Sequence, residues 1–132
     1  MDLSFTSEEL AFQAEVRDWI DQNYTPELRA KNALTKNGYL DKDGMVEWQQ
    51  KLDEKGWFVA NWPEEFGGPN LTAGQRYILN MEMARAGTPN TSPMGKSMVA
   101  PVIMAFGNDA QKAEHLPRIK DSTVWWCQGY SE

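Results

Sequence analysis

The sequence predicts a mostly helical domain that closes on one short β-strand, and three observations carry this expectation. Apolar residues recur at spacings of three and four through most of the chain. Hydroxyl and amide residues stand ahead of these runs, where a helix start needs an acceptor for its free N–H groups. β-Branched and aromatic residues crowd into a single stretch at 123–130. At 132 residues the chain is one domain or a piece of one, and its 41% hydrophobic content with six tryptophans is enough to build a core.

The elements follow in order. Thr6-Ser7-Glu8-Glu9 sets a hydroxyl three residues before a carboxylate, a reciprocal cap, so a helix is predicted over 7–23. Phe12, Val16, Trp19 and Ile20 form its apolar stripe. Thr25-Pro26 opens a second, short helix that ends before Gly38, with Pro in the first turn where its missing N–H costs nothing. Asp41 and Asp43 are cap candidates for a third helix from Gly44, in which Met45, Trp48 and Leu52 share a face and Gly56 supplies a left-handed stop. Residues 57–70 read as a structured loop, because the large aromatics Trp57, Phe58, Trp62 and Phe66 lie among prolines and glycines that break any period.

From Thr72 to Arg85, apolar residues surround most of the circumference, the pattern of a buried central helix. The turn formers of 87–93 make a loop. Met98, Val99, Val102, Ile103 and Phe106 then form a stripe ended by Gly107, with Pro101 as a kink or a restart. Asn108 and Gln111 form a box-like cap for a last helix closed by Leu116 and Ile119. The Thr123–Tyr130 strand would have no ladder partner, so the sequence reads as a fragment of a longer protein.

A net charge of −6, without a Lys/Arg cluster, argues against a nucleic-acid partner. Apolar stretches of only a few residues, and an N-terminus without an export signal, argue against a membrane span and make the cytoplasm the default location. The single cysteine, Cys127, excludes an internal disulfide and gives zinc no thiolate pair; it reads as a small hydrophobe in the strand. His115 lies near a helix end, where a cation would suit the macrodipole, while Glu64-Glu65 reads as a solvated start and Gly67-Gly68 as a tight turn. Met81, Met83, Met94, Met98 and Met104 fill core gaps or line an adaptable pocket. No metal site and no catalytic residue emerges.

Four segments carry a resemblance. Residues 56–68 read Gly-Trp-Phe-Val-Ala-Asn-Trp-Pro-Glu-Glu-Phe-Gly-Gly; residues 106–112 read Phe-Gly-Asn-Asp-Ala-Gln-Lys and are followed by Leu116-Pro117-Arg118-Ile119. Thr6-Ser7-Glu8-Glu9-Leu10 opens the chain, and Trp126-Cys127-Gln128-Gly129-Tyr130-Ser131-Glu132 closes it. In this order they resemble the Gly-Trp…Pro-Glu-Glu-Tyr-Gly-Gly segment, the Gln-Lys helix with its Leu-Pro exit, the first helix and the flavin-contacting strand of acyl-CoA dehydrogenases.

The resemblance implies the N-terminal helical, up-down bundle-like domain of that fold over residues 1–121, with 122–132 as the truncated start of a middle β-domain. It implies an FAD-dependent enzyme that oxidises an acyl-CoA thioester to the enoyl-CoA, with an α-proton leaving to a carboxylate and a β-hydride to flavin. That carboxylate belongs to a later part of the family's chain, so Glu132 is not the base and this segment is expected to be inactive alone. Gln128, Tyr130 and Ser131 fall where the family's strand meets FAD, and Gln128 departs from the aromatic often found there. Met98, Val99 and Val102 are candidates for the acyl-pocket wall. The implied partners are an acyl-CoA substrate, an electron-transfer flavoprotein-type acceptor and a homo- or hetero-tetramer. Related readings are an acyl-CoA oxidase or flavin monooxygenase of the same fold, and a non-catalytic helical partner subunit.

Overall fold

A computed structural model describes residues 4–130. Its α-helices are α1 (Ser7–Asn23), α2 (Pro26–Ala33), α3 (Lys42–Glu54), α4 (Ala73–Ala86), α5 (Ala100–Phe106) and α6 (Asp109–Lys120). Short 3-10 turns at Trp57–Val59 and Glu64–Phe66 follow α3, and a π-helix at Met94–Val99 leads into α5. The fold is the helical domain that the sequence predicts. The chain divides into two compact units, Met1–Leu40 with Asn70–Asn90, and Asp41–Pro69 with Thr91–Glu132.

In the first unit, the predicted reciprocal cap starts α1: the Glu9 N–H donates to Thr6 Oγ1 at 3.2 Å and the Thr6 N–H to Glu9 Oε2 at 2.8 Å. The stripe buries Phe12, Val16 and Ile20, and α1 packs on α4. Helix α4 departs from the expected all-round burial. It buries Ile78, Leu79 and Glu82 on one face, whereas Tyr77 is 60% exposed. Helix α1 covers one face of α4, while Met81 and Met83 are half-buried and the exposed Tyr77 ring stands 6.5 Å from that of Phe5.

The buried carboxylate of Glu82 organises this interface. Gln13 Nε2 donates to Oε1 at 2.7 Å, while Arg17 donates from Nη2 to Oε1 at 2.8 Å and from Nε to Oε2 at 2.9 Å. Arg85 stands 3.6 Å from Oε2. A charge taken out of water is tolerable only with such partners. Further along, the Tyr24 hydroxyl donates to the Gly87 carbonyl at 2.8 Å, and the Asn32 amide donates to both groups at 3.0 Å. Gly87 holds φ at +65° as the left-handed end of α4, a conformation glycine adopts without penalty.

In the second unit, the Asp41 carboxylate caps α3 by accepting the Gly44 N–H at 2.9 Å, and the helix buries Met45, Trp48, Gln49 and Leu52. The aromatic loop is as ordered as its composition suggests: Trp57, Phe58, Val59 and Trp62 are buried. Asn108 and Gln111 form the expected box ahead of α6, which buries Leu116 and Ile119. Gln49 bridges the unit, with Nε2 donating to Ser122 Oγ at 3.0 Å and Oε1 accepting the Ser92 N–H at 2.8 Å.

The terminal strand does not form among the described residues. The Val124 N–H turns back to the Arg118 carbonyl at 3.2 Å, and residues 125–130 run on with no ladder, because a strand needs a second strand. Cys127 is consequently exposed rather than packed as a small hydrophobe. No helix of the described residues is long and apolar enough to cross a membrane.

Replacing Glu82 by Ala leaves Gln13 and Arg17 without their acceptor, and it should cost about 1.5–3 kcal/mol in urea unfolding. The pH dependence has a definite sign. Hydrogen bonds from Arg17 hold the folded Glu82 carboxyl below its ordinary value of 4.5. Its contribution is therefore present above that value and fades as pH falls towards the lower folded value. Stability of Glu82→Gln should fall less steeply across this acid window than that of the native protein.

Candidate functional site

The site is built around the helical run from Met94 to Phe106. Its first turns are π-helical, and the Ala100 N–H donates to the Gly95 carbonyl. Continuing that register would require residue 101 to bond the Lys96 carbonyl, but Pro101 has no N–H. The indole of Trp62 takes this role, its Nε1 donating to the Lys96 carbonyl at 2.8 Å. Gly95 permits close packing beside α6, since a Cβ there would come 3.0 Å from Ile119 Cγ2.

The opposite side of the run is left uncovered. Met98 is 43% exposed, Val102 55% and Phe106 85%, while Val99 and Ile103 are half-buried. A groove of about 320 Å³ runs between Val102, Ile103, Phe106, Gln111, His115 and Trp126. The His115 ring meets Trp126 edge-to-face, with centroids 5.6 Å apart and planes at 82°. A second groove, of about 490 Å³, is lined by Trp62, Pro63, Phe66, Lys96, Pro101 and Met104 among others. Met104 thus lines a pocket, one of the two uses its sequence context allows.

The sequence-predicted residues separate into two places. Met98, Val99 and Val102 lie along the Met94–Phe106 run, and of the three Val102 alone lines either of these two grooves. Gln128 and Tyr130 lie on the extended segment, both exposed, and line neither groove; Ser131 lies outside the described residues. No cluster of potential metal ligands occurs among the described residues.

Sequence reasoning missed Lys96. Its ammonium is largely buried, donates to Thr91 Oγ1 at 2.6 Å and lies 4.7 Å from the centroid of the Phe58 ring. No carboxylate pairs with it among the described residues, and burial pushes its pKa down to about 8. A lone lysine inside the Met94–Phe106 apolar run was the available signal.

Against this geometry, the comparisons with known proteins are specific. The family model described as the acyl-CoA dehydrogenase N-terminal domain matches residues 6–122. The chain belongs to the acyl-CoA dehydrogenase family. It is similar to acyl-CoA dehydrogenase IpdE1 of Mycobacterium tuberculosis, with 38% identity over 125 residues, covering 92% of this chain and 32% of that protein. Among solved structures, it resembles a chain of the ChsE4-ChsE5 complex from Mycobacterium tuberculosis, at a TM-score of 0.78 and 33% identity, over 100% of this chain and 32% of that one. It also resembles a chain of the Tcur3481-Tcur3483 steroid ACAD, at a TM-score of 0.74 and 28% identity, over 94% and 31%. The chain therefore spans about a third of the length of these relatives. The Met94–Phe106 run lies within the matched domain.

The Trp62–Lys96 bond has a measurable consequence. Trp62→Phe keeps most of the ring packing but strands the Lys96 carbonyl, and it should lower unfolding free energy by about 1–3 kcal/mol in a denaturant titration.

Proposed function

We propose that this chain is the N-terminal helical domain of an FAD-dependent acyl-CoA dehydrogenase. In this reading residues 1–121 form the domain and 122–132 enter a middle β-domain, with Met98, Val99 and Val102 walling the acyl pocket. The observation that carries it is the uncovered apolar run from Met98 to Phe106 in a chain that belongs to this family. An acyl tail suits such a wall, because each buried CH₂ contributes about 0.8 kcal/mol without directional demand. Helical walls built from Met and Val hold the tail in place and exclude water.

Gln128 and Tyr130 fit a flavin edge in one respect: both are exposed, and neither makes a hydrogen bond within the described residues. The Gln128 amide can donate and accept, the Tyr130 hydroxyl likewise, and Ser131 adds a second hydroxyl to the sequence. FAD, when bound, supplies the hydride acceptor. This chain's part is to hold and orient the cofactor edge and the tail. The α-proton goes to a carboxylate that lies in another part of the protein, so the domain is inactive alone.

An electron-transfer flavoprotein-type acceptor would reoxidise the enzyme. The likeness to chains of a two-component complex and of a steroid ACAD supports a hetero-oligomer acting on a bulky acyl group, over a homotetramer acting on a simple fatty chain.

The test uses the full-length protein that carries this chain. It should purify yellow and bleach when mixed anaerobically with its acyl-CoA, whereas the 132-residue chain does not. A full-length protein that cannot be loaded with flavin would overturn the reading. Within the active protein, Met98→Trp should lower kcat/KM for the bulkiest acyl substrates by roughly tenfold relative to the smallest, about the value of one or two methylenes.

A further inference from the structure

Beside the π-helix lies a small half-open chamber of about 20 Å³, lined by residues that include Gln49, Phe58, Ser122, Lys96 and Trp126. That is room for one oxygen-sized group. Its polar lining is unusual in composition. Gln49 and Ser122 are 2% and 4% exposed and bonded to each other. The Lys96 ammonium has three N–H groups and, among the described residues, a single hydrogen-bond acceptor, Thr91 Oγ1. The buried indole Nε1 of Trp126 has no acceptor among the described residues. The Ser122 hydroxyl accepts from Gln49, and its own proton is unspent.

Residues that carry donors thus line one chamber, one of them is positively charged, and no carboxylate lines it. An ammonium withdrawn from water without a counter-charge is unfavourable, and a stranded buried N–H costs about 1–3 kcal/mol. A water molecule would satisfy hydrogen bonds but not the charge. A ligand's anionic oxygen satisfies both, through short charge-assisted hydrogen bonds.

We propose that this chamber is a carboxylate-binding site in which Lys96 and the Trp126 indole donate to one carboxylate oxygen, the other remaining at the mouth. The site does not depend on the acyl-CoA dehydrogenase reading, since a free carboxylate requires no catalysis to bind. The same chemistry could reach the chamber as a free small acid or as the acid end of a carboxylated acyl thioester.

Two arms separate these sources, both on the full-length protein. The first measures the melting temperature against sodium formate, with sodium chloride at equal ionic strength as control. At ten times the dissociation constant, formate should raise the midpoint by about 1–2 °C in a protein of that size. The second compares binding of succinyl-CoA with that of butyryl-CoA by calorimetry. Lys96→Met should abolish the response in whichever arm is positive. Trp126→Phe, which keeps an aromatic ring and removes the N–H together with part of the indole, should weaken it about tenfold, and it serves if Lys96→Met does not fold. Affinity should fall as pH rises above 8, because burial holds the lysine pKa at about that value and the neutral amine has no charge to offer. A formate response identifies a free acid, and a preference for succinyl-CoA alone identifies an acid end on the thioester. No response in either arm, a chloride effect equal to that of formate, or a response unchanged in both variants would overturn the proposal.

Discussion

Pro101 has no N–H to give, and the helical run that carries the candidate site is arranged around that deficit. An α-helix interrupted by proline ordinarily leaves a carbonyl without a partner and bends away from it. Here the preceding turns widen into a π-helix and the orphaned Lys96 carbonyl is taken by the Trp62 indole at 2.8 Å. Because Trp62 is itself buried, this single bond ties the aromatic loop to the run and fixes which residues face outward. Met98, Val102 and Phe106 lie on its uncovered side, and Lys96 is drawn inward over Phe58.

The two units solve the same problem of buried polarity in different ways. In the first, Glu82 is a charge with its partners supplied by Gln13, Arg17 and Arg85. In the second, the neutral amide of Gln49 donates to one serine side chain and accepts from another serine's backbone, whereas the charge of Lys96 has no opposite charge beside it among the described residues. Complete satisfaction at Glu82 marks a structural cluster, and incomplete satisfaction at Lys96 marks a place where something else completes the set.

The local signals in the sequence reported the local structure well. The Thr6–Glu9 and Asn108–Gln111 boxes, the Asp41 cap and the Gly56 stop all depend on a few neighbouring residues, and all formed as their spacing requires. What depended on distant partners was not legible. The 123–130 segment has every local feature of a strand, but pairing is a property of two segments. The circumference of α4 looked uniformly apolar, yet burial follows the neighbour it packs on, so Tyr77 stays exposed. Lys96 gave only the signal of an isolated charge in an apolar run; its want of a counter-ion is a fact of three dimensions. Val102 was placed beside a groove, whereas the roles of Gln128 and Tyr130 rest on the family resemblance.

The central claim is that the uncovered side of the Met94–Phe106 run meets an acyl chain. A crystal structure of the full-length protein with a non-reactive thioether analogue of an acyl-CoA tests it most directly. The account predicts acyl carbons within about 4 Å of Met98 and Val102, the distance of van der Waals contact. An analogue bound with its chain elsewhere, and this run covered by protein or left in solvent, would contradict it.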